Sequence, residues 1–221
     1  FQIPQVLYGR EVERGLLEAA FRAAAGGTAQ LTLVGGTAGI GKSRLVAELK
    51  PWAAARQGFF CAGKARRYER DRPYAVLAEA LGQLLAQVLT RPQADVDVWA
   101  AALVEALGPN GQVLVSLVPA ARHLLGPVEP VPDVEPEAAR LRLAQALSAL
   151  LEVLARPAHP LVLALDDLQW ADGATLALVE QLLQAVAGLA LHVVGAFRDD
   201  ELGPDHALPA LRARLAGRGH A

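Results

Sequence analysis

The sequence predicts an α/β fold: a mostly parallel sheet covered by helices on both faces, with a helical insertion between its second and third strands. Three observations predict it. Four short runs, 31–34, 58–62, 161–165 and 191–197, are continuously apolar rather than alternating and read as buried strands. Apolar residues at helical spacing fill the intervals between them. About a hundred residues separate the second and third runs, and most of that stretch has a helical pattern.

In chain order, a first helix should turn Val12, Leu16, Leu17, Ala20 and Phe21 inward. After the strand Leu31–Val34, a glycine-rich turn leads into a helix opening at Ser43. Beyond the second strand, Arg66 to Arg72 mixes charges of both signs and reads as a solvated loop, near either the nucleotide or a partner. Leu77, Leu81, Leu84, Leu85 and Val88 define one helical face, and Leu143, Leu147, Leu150, Leu151 and Leu154 repeat the spacing. Between them Pro127, Pro130, Pro132 and Pro136 predict an exposed, poorly helical connection. Leu176, Val179, Leu182, Leu183 and Val186 face inward on a helix after the third strand, and a last helix covers 208–215. The expected organisation is one domain over 1–217, with a core of 1–69 and 159–217 and an insertion over about 70–158.

Composition narrows the function. With 53% hydrophobic residues among 221, the chain can bury a sizeable core. Its net charge of −2 gives no global positive field for nucleic acid or an anionic membrane. A single cysteine, Cys61, excludes an internal disulfide framework and fits a reducing, cytoplasmic compartment. No secretion signal opens the chain, and the longest apolar run noted, 185–197, is too short to span a bilayer and contains His192. Methionine is absent, so Phe1 is not a natural start and the chain is expected to be part of a longer protein. The five histidines lack metal-ligand spacing, and no G-x-S-x-G elbow occurs.

The strongest motif is Gly36-Thr37-Ala38-Gly39-Ile40-Gly41-Lys42-Ser43, which fits G-x-x-x-x-G-K-[ST] between a strand and a helix. Its glycines let backbone N–H groups curl around phosphate, and the helix start adds partial positive charge. Gly36 through Ser43, with Arg44 in the first helical turn, are the candidate nucleotide-binding residues. Lys42 is expected on the β- and γ-phosphates and Ser43 on Mg²⁺. A Rossmann reading fails because no third glycine follows Gly39 and Gly41 at the required spacing.

Leu161 to Leu165 ends in Asp166 and Asp167, which places two carboxylates at the sheet edge where the P-loop also sits. Asp166 is expected to hold Mg²⁺, largely through water, and Asp167 to orient or deprotonate the attacking water. An Asp pair there is also a helix-cap pattern; the P-loop in the same chain favours the catalytic reading. The fourth strand brings Arg198 to the same edge, as a γ-phosphate sensor or as an ion-pair partner of Asp199, Asp200 or Glu201. Guanine recognition would need Asn/Thr-Lys-x-Asp, and none of Lys42, Lys50 and Lys64 is followed by Asp at the second position, so ATP or ADP is expected.

These residues resemble the STAND class, the signal-transduction ATPases with numerous domains, and most of all the bacterial branch in LuxR-type (MalT-like) regulators and in cyclase- or kinase-linked ATPases. Leu7-Tyr8-Gly9-Arg10-Glu11 looks like the segment that opens that module; Asp166-Asp167-Leu168-Gln169-Trp170-Ala171-Asp172 is the most specific match; and Gly195-Ala196-Phe197-Arg198 resembles its sensor segment. The resemblance covers 6–90 and 137–217. It implies a three-layer P-loop NTPase sandwich of the additional-strand type, with the sensor strand between the P-loop and Asp166 strands. It also implies Gly9 and Arg10 near the adenine, Mg²⁺-dependent ATP binding, slow hydrolysis, and a nucleotide-gated switch in a signalling or transcriptional regulator. Its expected partners are a lid and output domains beyond this sequence, with a nucleotide-dependent oligomer left open and no membrane or direct nucleic-acid contact. Two other readings stay open: a DNA-linked ATPase of initiator or clamp-loader type, and a scaffold that holds nucleotide without catalysis.

Overall fold

The computed structural model describes residues 9–69, 72–132, 134–186, 188–203 and 206–216. Four strands, β1 (Gln30–Val34), β2 (Phe59–Lys64), β3 (Leu161–Asp166) and β4 (Leu191–Ala196), form one sheet in the order β1-β4-β3-β2. Every pairing is parallel, with Gln30 opposite His192 and Lys64 opposite Asp166. β4, the strand that leads to Arg198, therefore lies between the P-loop strand and the Asp166 strand, as the resemblance implied, and all four strands end at one edge.

Helices cover both faces. On one side lie α1 (Glu11–Ala25), α2 (Lys42–Ala47) and α3 (Leu49–Ala55), whose buried residues pack on Val162, Ala164 and Val194. On the other side α4 (Ala75–Leu89) and α9 (Gly173–Ala185) share a core with Leu161, Leu163 and Leu165, as the alternation of side chains along a strand requires. That core continues outward through α5 (Gln93–Leu107), α6 (Gly111–Leu117), α7 (Arg122–Leu125) and α8 (Pro136–Leu154), and α10 (Ala207–Ala216) adds Leu208 and Leu211. The stretch 70–158 thus holds two kinds of helix. α4 packs directly against β2, while α5 to α8 form a further layer, with α8 also against α9.

Two sequence expectations need correction. Val12 and Leu16 are 74% and 66% exposed; α1 instead buries Leu17, Phe21, Ala24 and Ala25, a face rotated toward its C-terminal half. The stretch Gln93–Leu117, 25 residues, is long and apolar enough to cross a membrane by length and composition, although the sequence reading found no such run. In the fold it is α5, a 3₁₀ turn over Gly108–Asn110, and α6, broken where Gly108 takes φ 48°. Its apolar residues Val96, Leu103, Leu107 and Leu114 are buried in the helical core.

One polar side chain is enclosed inside the sheet. His192 is fully buried on β4, where Nε2 lies 2.9 Å from the Thr32 hydroxyl and Nδ1 has no hydrogen-bond partner. Burial pushes its pKa down to about 4 from 6.5, so the ring is neutral.

Candidate nucleotide site

The P-loop runs from the end of β1 into α2, and its backbone needs glycine. Gly36, Gly39 and Gly41 take φ of 148°, 75° and 95°, values costly for any side chain, and Gly41 is the residue that starts α2. Lys42 folds back over the loop, its Nζ donating to the carbonyls of Gly36 at 2.7 Å and Thr37 at 2.8 Å. Arg44 is exposed on α2. Arg10 reaches the same loop, donating to the Ile40 carbonyl at 3.1 Å and to Glu13 at 2.9 Å, and Gly9 precedes it with φ 74°. Leu7 and Tyr8 lie outside the described residues.

Ser43 and Asp166 meet across the cleft between α2 and β3. The Ser43 hydroxyl donates to Asp166 Oδ2 at 2.9 Å, while Oδ1 accepts the Asp167 N–H at 2.9 Å. A hydroxyl and a carboxylate oxygen this close are a hard-oxygen pair that fits Mg²⁺, which takes one or two protein ligands and completes its shell with phosphate and water. Among the described residues no cluster of three or more His, Cys, Asp or Glu could hold a metal by protein ligands alone.

Asp167 has a different environment. Its backbone is left-handed, φ 53° and ψ 42°, and only 8% of the residue is exposed. Lys64 Nζ sits 3.1 Å from Oδ2, and Arg198 Nε 3.5 Å from Oδ1. The Gln169 amide donates to Oδ1 at 3.1 Å. Burial would raise the carboxyl pKa, but the Gln169 hydrogen bond and the Lys64 and Arg198 charges outweigh it and hold the group below its usual value. Arg198 also pairs with Glu201 at 2.6 Å, the ion-pair reading of this arginine, and it stands at the strand ends beside Asp167.

Two residues of this network were not singled out from sequence. Lys64 ends β2 directly opposite Asp166, two positions past where the apolar run was read to stop. Gln169 is fully buried and links both acidic and basic elements, since its carbonyl accepts the Arg198 N–H at 3.1 Å. The rest of that segment builds the frame. Asp172 caps α9 by accepting the Thr175 N–H at 2.8 Å, Thr175 in turn accepts the Tyr74 N–H at 3.0 Å, and Arg67 lies 5.3 Å over the Trp170 ring. The loop after β2 is thereby tied to the start of α9.

The fold brings Lys42, Ser43, Asp166, Asp167, Arg198 and Lys64 to one edge of the sheet, with Arg10 against the P-loop. Comparison with known proteins agrees with this architecture. The chain is 28% identical over 186 residues to hybrid signal transduction histidine kinase G of Dictyostelium discoideum, covering 83% of this chain but 5% of that protein. The crystal structure of Cdc6p from Pyrobaculum aerophilum superposes with a TM-score of 0.50 at 14% identity, over 96% of this chain and 44% of that one, a likeness of fold alone. Residues 6–194 match the AAA ATPase domain family. With the P-loop, both aspartates and most of the sheet inside that match, the chain belongs to the AAA ATPase domain family.

Proposed function

We propose that this AAA ATPase domain binds ATP with Mg²⁺ at the P-loop, hydrolyses it slowly, and acts as a nucleotide-gated switch of the kind the STAND resemblance implies. The observation that carries the reading is the state of Asp167. A carboxylate held low by Gln169, Lys64 and Arg198 is ionised but weakly basic, so it orients water better than it deprotonates it. Lys42 would exchange the Gly36 and Thr37 carbonyls for the β- and γ-phosphates, and Arg10 would steady the loop from behind. Ser43 and Asp166 would hold Mg²⁺, which when bound neutralises phosphate charge. Arg198 can sense a γ-phosphate only by loosening from Glu201 and Asp167, which couples nucleotide state to the network.

Calorimetry with ATP and ADP, with and without Mg²⁺, and steady-state phosphate release on the purified chain test this reading. Lys42→Ala should weaken binding about tenfold or more, equivalent to at least about 1.4 kcal/mol. Asp166→Asn should lower Mg²⁺-dependent affinity, whereas Asp167→Asn should reduce turnover and leave binding nearly intact. Turnover should lie well below about 10 s⁻¹. Unchanged affinity in Lys42→Ala removes the P-loop assignment, and tens of turnovers per second remove the switch.

A second reading, a DNA-linked ATPase of initiator or clamp-loader type, has the comparisons more on its side: the family match is to AAA ATPases at large, and the fold is like that of Cdc6p. Exposed Arg72 and Tyr68 beside Arg67, next to the site, are the surface it would use. Salt-dependent DNA binding lost in Arg67→Ala/Arg72→Ala would favour it, since each phosphate contact steepens the salt dependence.

A further inference from the structure

A cavity of about 690 Å³ is lined by none of the P-loop-edge residues. It opens in the outer helical layer between the end of α5, the proline-rich strap 126–132, and α8. That volume lies within the range of sites that enclose small molecules, roughly 300–1,000 Å³.

The cleft is held open by covalent and packing constraints. Pro127, Pro130 and Pro132 fix φ along the strap and remove its N–H donors. The strap is pinned at both ends. Near its start, Val128 packs on Gly111 of α6, where a Cβ would come within 3.2 Å of Val128 Cγ1. At its end, the Pro132 carbonyl accepts Arg142 Nη1 at 3.2 Å. The walls are apolar: Val104 and Leu107 from α5, with Leu125 and Val128 opposite. Polar side chains reach the lining from two sides, Asn110 and Gln112 from the turn into α6 and two more from α8. Arg142 and Gln145 project from α8 into the lining, and Arg142 has no carboxylate partner among the described residues. Glu129 is the one acidic side chain of the lining and is exposed on the strap.

We propose that this cleft is a binding site for a small carboxylic acid with an apolar body, its carboxylate on the Arg142 guanidinium and its body against Val104 and Leu107. A guanidinium already steadied by one carbonyl keeps further N–H groups in its planar fork, the geometry that matches a carboxylate. Arg142 is the one cation of the lining among the described residues, so recognition of a negative charge falls to α8. The site is independent of the nucleotide reading, because none of its lining residues belongs to the P-loop edge.

Isothermal titration of the full chain with octanoate tests it. One saturable site is expected, weakened about tenfold or more by Arg142→Gln. Octanol, with the same body and no charge, should lose a similar factor, and octylammonium should bind no better than octanol. Val104→Trp fills the cleft from a position 51% exposed and should abolish binding with the circular-dichroism spectrum unchanged. Lys42→Ala should leave octanoate binding intact, which separates failure here from failure at the P-loop. The proposal is overturned if octanoate shows no saturable heat up to about 10 mM. It is equally overturned if Val104→Trp binds like the parent, if octylammonium binds more tightly than octanoate, or if the cleft is closed by self-association that excludes octanoate.

Discussion

The two faces of the sheet are built to different depths. Behind one, buried leucines run without interruption from β3 through α4 and α8 to α5 and α6, with Leu84, Leu103, Leu114 and Leu150 all fully enclosed. Behind the other, nine buried residues among those described hold α1, α2 and α3 in a single layer. The P-loop and Ser43 ride on the thin face; Asp166 and Asp167 leave the sheet from a strand packed on both. If the switch proposed above operates, its moving elements are expected on the face with the thinner core, which carries the phosphate-binding loop.

The comparison can be broken by mutation. Leu84→Ala in the deep face should cost about 2–5 kcal/mol in urea unfolding, since the surrounding helices cannot collapse into the space. If it costs no more than Leu16→Ala on exposed α1, the deep face is not the scaffold. Next in size is acid. His192 packs on the thin side with its folded pKa near 4 and its ordinary value at 6.5, so the unfolded chain binds the proton first. Stability conferred by the neutral ring is complete above about pH 6.5 and falls as pH drops toward 4, by about 3 kcal/mol in all. His192→Phe should flatten that part of the pH–stability curve; an unchanged slope would place the acid sensitivity elsewhere.

A smaller effect is expected from Lys64→Met. Releasing one cation from Asp167 makes the carboxylate more basic, so phosphate release should rise by about threefold with ADP affinity unchanged. A fall in turnover would instead assign Lys64 to the phosphates. The smallest effect is Leu16→Ser, worth within about 0.5 kcal/mol by thermal unfolding, because the side chain is already 66% exposed.

What the sequence showed follows the same division. The strands were legible because residues buried on both faces leave continuous apolar runs, and the positions of the P-loop, Asp166 and Arg198 follow from where those runs end. Lys64 was missed because a strand's last residue projects beyond the apolar core, so its composition no longer resembles a strand. Gln169 was missed as a linking residue because an amide acquires its role only from what surrounds it: Asp167 two residues away and Arg198 on another strand. On α1, Val12 and Leu16 fit the helical period, but the period allows neighbouring faces, and the sheet takes the one that carries Leu17, Phe21, Ala24 and Ala25, which turns Val12 and Leu16 outward.

The strand order also has a consequence in time. β1 leaves the ribosome well before β4, its only strand neighbour among those described, whose His192 pairs with Gln30 across about 160 residues of chain. Until β4 is made, the nascent P-loop hangs from an apolar ribbon that lacks this neighbour, while the helices synthesised in between can already pack together. Completion of the nucleotide site therefore waits for β4. Any pause before residue 191 would hold β1 in the condition most prone to wrong pairing.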